Sequence, residues 1–244
     1  GLVGSEMCIR DRDRPDIMYA VKEICRGMSK PRECDWIKLK RLGRYLIGHT
    51  RCVVEYPWQG VEKVATGYTD SDWGGCQRTG LSTSGGLIMI GQHWIKSWSK
   101  TQPSVTLSSA EAELVAMSKT ASELLGICNL AKDMSTQIQG RIYADSASAL
   151  AVVARRGAGK LRHINLNHLW LQELEKRKDN PVIFDKVKGT CNPADALTKY
   201  LDKSKVEEYL SSSGHRICSG RANTGLQLQS NVAKDTLSQL RDTD

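Results

Sequence analysis

The chain has one phenylalanine and six prolines among 244 residues. No run approaches the roughly 20 consecutive apolar residues of a membrane-spanning helix. A basic stretch leading into a short apolar one, the mark of a secretory signal, is also missing. Eight cysteines lie scattered at positions 8, 25, 34, 52, 76, 128, 191 and 218. None forms a C-x-x-C pair, which argues against a zinc ribbon. The chain is long enough to need no disulfide framework, so reduced thiols in an intracellular protein are expected. No initiator methionine opens the chain, which suggests a fragment. Residues 1–12, GLVGSEMCIRDR, lack periodicity and are read as an adapter-like, non-native segment. No internal repeat is visible.

What is present is positive charge. Lys and Arg number 35 against 27 Asp and Glu, a formal net charge of +8. That balance suits a polyanionic partner, nucleic acid ahead of an anionic membrane. Residues 15–30 place Ile17, Val21, Ile24 and Met28 on one helical face, and Pro31 interrupts. A second helical pattern, DWIKLKRLGRYLIG, has Trp36, Leu39 and Leu46 as its apolar positions. Its other face carries Lys38, Lys40, Arg41 and Arg44, either a solvated surface or a phosphate-facing one. Residues 52–56 read as a short strand, 65–73 as a strand running into a turn, and 85–99 as a hairpin about Gly91-Gln92. Residues 108–134 give a long amphipathic helix with Leu114, Met117, Ala121, Leu124 and Cys128 at helical spacing. A strand at 141–145, helices in SASALAVVARR and NLNHLWLQELEKRK, a strand at 181–187 and a helix at 192–201 follow. Asn192 would cap that last helix, with Pro193 at its first position. A meander followed by alternating strands and helices implies a mixed sheet with helices on its faces. Residues 203–244 are polar and read as a poorly ordered or weakly helical tail.

Carboxylates recur at the ends of these elements. Asp70 and Asp72 close the first strand of the block, Glu111 and Glu113 open the long helix, Asp145 ends a strand and Asp195 lies in the first turn of the last helix. Clustered like charges are costly unless cations neutralise them. Mg²⁺ takes oxygen ligands, and paired ions serve phosphodiester hydrolysis. Each acid also has a local reading. Glu111 follows Ser108 in the S-x-x-E pattern of a capping box. Asp145 could cap the helix behind it, Asp195 could meet a helix dipole, and Asp72 could be turn chemistry. Trp94 and Trp98, four apart on one strand, should share a face and pack in the core, with stacking on bases the lesser alternative. Arg78 and the STSGG run, with Ser84 and Gly85, form a candidate backbone-binding edge, since glycine permits close approach of N–H groups to phosphate or sugar.

The stretches GYTDSDWGGCQRTGLSTSGGLIMI, WIKSWSKTQPSVTLSSAEAELVAM, IYADSASAL and KGTCNPADALTKYL resemble the RNase H domain of copia-type retrotransposon Pol polyproteins. Residues 13–60 resemble the helical end of the reverse transcriptase and its connection, and 61–202 the RNase H domain proper. The resemblance implies an α/β RNase H-like fold: a mixed five-stranded sheet, its first three strands antiparallel, with helices on both faces. It assigns Asp70, Glu113, Asp145 and Asp195 as catalytic and metal-binding carboxylates, and sets Asp72 aside as a non-core member of D-x-D-W. Two Mg²⁺ ions, replaceable by Mn²⁺, are the implied cofactors. The implied reaction is hydrolysis of the RNA strand of an RNA–DNA hybrid, with the reverse transcriptase of the same polyprotein as a further partner. The histidine that cellular members carry before the last helix is absent from KGTCNPAD, where Thr190 stands. Arg162 and His163, in RHINLNH with His168, are candidate substrate contacts. Two other readings stay open: an inactive relic that only binds nucleic acid, and a DNA nuclease on the same fold.

Overall fold

The structure is a computed structural model that describes residues 14–157, 159, 168–179 and 181–220. The adapter-like segment 1–12, Arg162, His163 and the last part of the tail lie outside the described residues. A short 3₁₀ turn, Pro15–Ile17, leads into α1 (Met18–Cys25), α2 (Glu33–Gly48) and β1 (Arg51–Val54). Then come β2 (Val64–Asp72), β3 (Thr83–Ile90), β4 (His93–Thr101), α3 (Ser109–Asp133), β5 (Gln139–Ala144), α4 (Ala147–Ala154), α5 (Trp170–Lys176), β6 (Ile183–Lys186), α6 (Lys203–Ser212) and β7 (His215–Cys218). The main sheet has the order β4-β3-β2-β5-β6. Strands β2, β3 and β4 are antiparallel neighbours, while β5 runs parallel to β2 and β6 parallel to β5. This is the RNase H-like arrangement that the resemblance implied.

Two apolar layers flank the sheet. On one face Ala65, Ile88, Trp98 and Ile142 meet α3, α4 and α5 through Leu114, Met117, Leu124, Val153 and Leu171. All five apolar positions read from the helical spacing of α3 are buried. On the other face Leu87, Met89 and Trp94 meet Met18 of α1, Leu197, and Tyr209 and Leu210 of α6.

Four expectations are corrected here. Trp94 and Trp98 lie on opposite faces, because a bulge between the Ile88–Lys96 and Met89–Trp94 pairs shifts the side-chain alternation of β4. The helix at 192–201 is only a 3₁₀ turn, Pro193–Leu197. Of the apolar positions read in α2 only Leu46 is half-buried, while Trp36 and Leu39 are exposed, as are Ile37 and Ile47. Residues 203–218 are not a loose tail. Helix α6 closes the second core, and β7 pairs antiparallel with β1 through Val54–His215 to Arg51–Cys218. Two large apolar side chains, Tyr209 and Leu210, outweigh the polar composition around them.

Glycine explains how closely the layers approach at β3. A Cβ at Gly86 would clash with the Trp98 ring. One at Gly85 would lie 2.9 Å from Leu197 Cβ and 3.1 Å from the Ala194 carbonyl oxygen, on the opposite face. The pair thus admits the indole on one side and the Pro193–Leu197 turn on the other.

Candidate active site

Strand register brings the first two acids together. The last parallel pair of β2 and β5 is Thr69 with Ala144, so Asp70 and Asp145 are the next residues of adjacent strands. Such strands run about 4.8 Å apart. Asp145 is not needed as a cap, because the Ser146 hydroxyl accepts the Ala149 N–H and caps α4.

Helix α3 delivers the third acid. Its N-cap is Ser108, whose hydroxyl accepts the Glu111 N–H at 3.2 Å, while Glu111 Oε2 accepts the Leu107 N–H at 2.7 Å. Glu111 is therefore occupied at the helix mouth. Glu113 turns inward, 7% exposed, and its Oε1 accepts the Ser71 N–H at 3.3 Å. Its other oxygen, Oε2, is buried without a hydrogen-bond partner among the described residues. One carboxylate oxygen from each of Asp70, Glu113 and Asp145 lies within 4.8 Å of the other two. Burial, then the Asp70 and Asp145 charges, push the Glu113 carboxyl up to about 8. Burial also raises Asp70, against the Thr198 hydrogen bond and the Lys199 charge, which act to lower it. A buried acid oxygen with no donor, in a group of three acids, fits a hard divalent cation with oxygen ligands.

The fourth acid sits apart from that group. Asp195 rides on the Pro193–Leu197 turn, which Asn192 anchors from both ends of its amide. Asn192 Oδ1 accepts the Ala194 N–H at 3.1 Å, and Nδ2 donates to the Thr69 carbonyl at 2.9 Å. Asp195 Oδ1 is held by Lys199 Nζ at 3.0 Å, and the same ammonium lies 3.6 Å from Asp70 Oδ2. The neighbouring Thr198 hydroxyl donates to that Asp70 oxygen. Thr198 and Lys199 were missed in the sequence. Lys199 is four residues from Asp195, and that spacing was the available signal.

The expected substrate edge divides. Arg78 is exposed, and its Nη2 donates to the Arg26 carbonyl at 2.7 Å. Ser84 and Gly85 are not presented to a ligand. Ser84 is 4% exposed and its hydroxyl accepts from Gln102 Nε2 at 2.9 Å, and Gly85 faces the Asp195 turn. Asp72 accepts the Thr83 N–H across the β2–β3 pair. His168 makes a 2.9 Å hydrogen bond with the Ser118 hydroxyl.

No protein-family model matches the chain. It is 31% identical over 208 residues to the retrovirus-related Pol polyprotein from transposon TNT 1-94 of Nicotiana tabacum, covering 84% of this chain and 15% of that protein. It is 31% identical over 212 residues to the Pol polyprotein from transposon RE2 of Arabidopsis thaliana, covering 86% of this chain and 14% of that one. A shorter relative, named secreted RxLR effector protein 161 of Plasmopara viticola, is 36% identical over 121 residues, half of this chain and 84% of its own length. Among solved structures, LC11-RNase H1 aligns over 61% of this chain and 99% of its own, with a TM-score of 0.43 and 16% identity. The chain thus spans about one seventh of the polyproteins it matches. It belongs to the retrovirus-related Pol polyproteins of copia-type transposons, and its five-stranded sheet has the RNase H-like order.

Proposed function

We propose that this domain is a metal-dependent endonuclease that hydrolyses the RNA strand of an RNA–DNA hybrid. The observation that carries the reading is the convergence of Asp70, Glu113 and Asp145, with Glu113 Oε2 left unpartnered in a buried position. Asp70, Glu113 and Asp145 would hold one Mg²⁺, and Asp70 with Asp195 a second; Mn²⁺ suits the same oxygen ligands. Bound there, such ions supply positive charge to a phosphodiester transition state and lower the pKa of water.

The chain's own residues keep the ligands in place. The Ser71 N–H orients Glu113, the Thr198 hydroxyl orients Asp70, and Asn192 ties the Asp195 turn to β2. Exposed Arg78 is the remaining described candidate for a phosphate contact. The net charge of +8 favours a nucleic-acid backbone and makes its binding salt-sensitive. The uncovered Trp36, Ile37, Leu39 and Ile47 of α2 favour the polymerase part of the polyprotein as the neighbour on that side.

The purified chain is to be incubated with a labelled hybrid and Mg²⁺, beside the Asp70→Asn variant. Cleavage of the RNA strand, lost in the variant and in EDTA, is the expected result. Hybrid binding without cleavage would leave only a binding module, and preferential cutting of duplex DNA would change the substrate.

A further inference from the structure

Cation character is already built into the acidic site. Lys199 Nζ bridges Asp195 Oδ1 at 3.0 Å and Asp70 Oδ2 at 3.6 Å, the very pair assigned above to a second ion. An Asp–Lys pair four apart is an ordinary surface feature of a long helix. Here the turn ends at Leu197, and the ammonium reaches a carboxylate that is only 2% exposed. Thr198, next in the chain, addresses the same Asp70 oxygen. Two consecutive side chains therefore converge on one atom, one with a neutral donor and one with a charge. Lys199 itself is 46% exposed, so its stem is free to leave. Glu113 makes no ion pair among the described residues, and its Oε2 is buried there without a hydrogen-bond partner.

We propose that Lys199 is a tethered cation that occupies the Asp70–Asp195 edge of the site in the metal-free protein and must swing aside before a second divalent ion binds there. The inference rests on the metal-dependent reading of the site. It makes the two ion positions unequal: the Asp70–Glu113–Asp145 position is open to an ion, and the Asp70–Asp195 position is contested by the chain itself. Ion occupancy is then sequential, and the second ion binds weakly until something else, such as a bound phosphate, draws Lys199 away.

Mn²⁺ binding to the full chain, followed by the paramagnetic resonance of the free ion, tests this without reference to activity. Wild type should bind one equivalent well and a second weakly. Lys199→Gln should bind the second at least tenfold tighter, and Lys199→Arg, which keeps the charge, should resemble wild type. A second measurement needs no variant. With lysines reductively methylated using ¹³C, the Lys199 resonance should shift as Mg²⁺ is raised through the second binding step. Mn²⁺ binding identical in wild type and Lys199→Gln, or a Lys199 resonance indifferent to Mg²⁺, would overturn the proposal while leaving the metal site intact. Failure of wild type to bind any Mn²⁺ would remove the metal-dependent reading and this inference with it.

Discussion

At Glu113 the side chain has one donor, the Ser71 N–H, and one oxygen with none, and two further carboxylates stand within 4.8 Å. Neutralising such a group should cut activity and raise stability at once. Glu113→Gln and Asp70→Asn should each lower hybrid cleavage by about 100-fold or more, because each removes a ligand charge. Each should also stabilise the metal-free protein by on the order of 1 kcal/mol, since a displaced carboxyl pKa costs about 1.4 kcal/mol per unit. Urea unfolding in EDTA checks the second half; a destabilised variant would mean that the acid is structural. Spacing alone left Glu111 and Glu113 as rivals, although the capping pattern Ser108-x-x-Glu111 already favoured an end-of-helix role for the first. The family motif chose Glu113, whose carboxylate accepts the Ser71 N–H, while Glu111 accepts the Leu107 N–H at the helix mouth. Thr198 was invisible because its partner, Asp70, is 128 positions away in the chain, and Lys199 showed only its four-residue spacing from Asp195. Ser84 and Gly85 were misjudged for a related reason. A glycine that admits substrate and a glycine that admits the protein's own backbone look alike in sequence.

Element boundaries were legible wherever periodicity and caps coincide, as in α3 with Ser108 at its start and an inner face that is apolar apart from Glu113 and Thr120. They were not legible where one residue changes the register. The bulge in β4 sends Trp94 and Trp98 to different cores, and no composition rule marks it. Gly86 records the outcome, since it faces the Trp98 indole. Gly86→Ala should cost about 1–3 kcal/mol through overpacking, visible as a lower urea midpoint at unchanged slope. A near-neutral result would show that the indole can move away. Helix α6 was hidden by its polar neighbours, yet Leu210 is 3% exposed beneath the sheet. Leu210→Ala should cost about 2–4 kcal/mol, as deletions in packed cores do. A loose tail would lose less than about 0.5 kcal/mol, the usual limit for surface changes. That single measurement separates the two accounts of residues 203–218.

At the scale of the whole molecule, Asp70 with Glu113 and His168 with His215 tie stability to pH with opposite signs. Asp70 and Glu113 are raised in the folded state, first by burial, from ordinary carboxyl values near 4. Between about pH 4 and pH 8 the native protein thus holds more protons than the unfolded chain, so its stability falls as pH rises. His168 and His215 are lowered by burial from about 6.5. For them the unfolded chain takes up protons first, so stability falls as pH drops through about 6.5 and below. A melting curve against pH in EDTA mixes the two. Mg²⁺ separates them, because an ion that binds only the native acids adds stability as RT ln(1 + [Mg²⁺]/Kd). Protons compete with the ion at the acids, whereas the histidines are the same with and without it. The difference between melting temperatures in Mg²⁺ and in EDTA should therefore be small at pH 5 and grow steadily to pH 8. In Glu113→Gln it should be much reduced at every pH, while the loss of stability on the acid side due to the histidines persists. A difference that is flat from pH 5 to pH 8 would mean that the ion does not bind at these carboxylates, and the acidic group would then be a burden on the fold with no metal to relieve it.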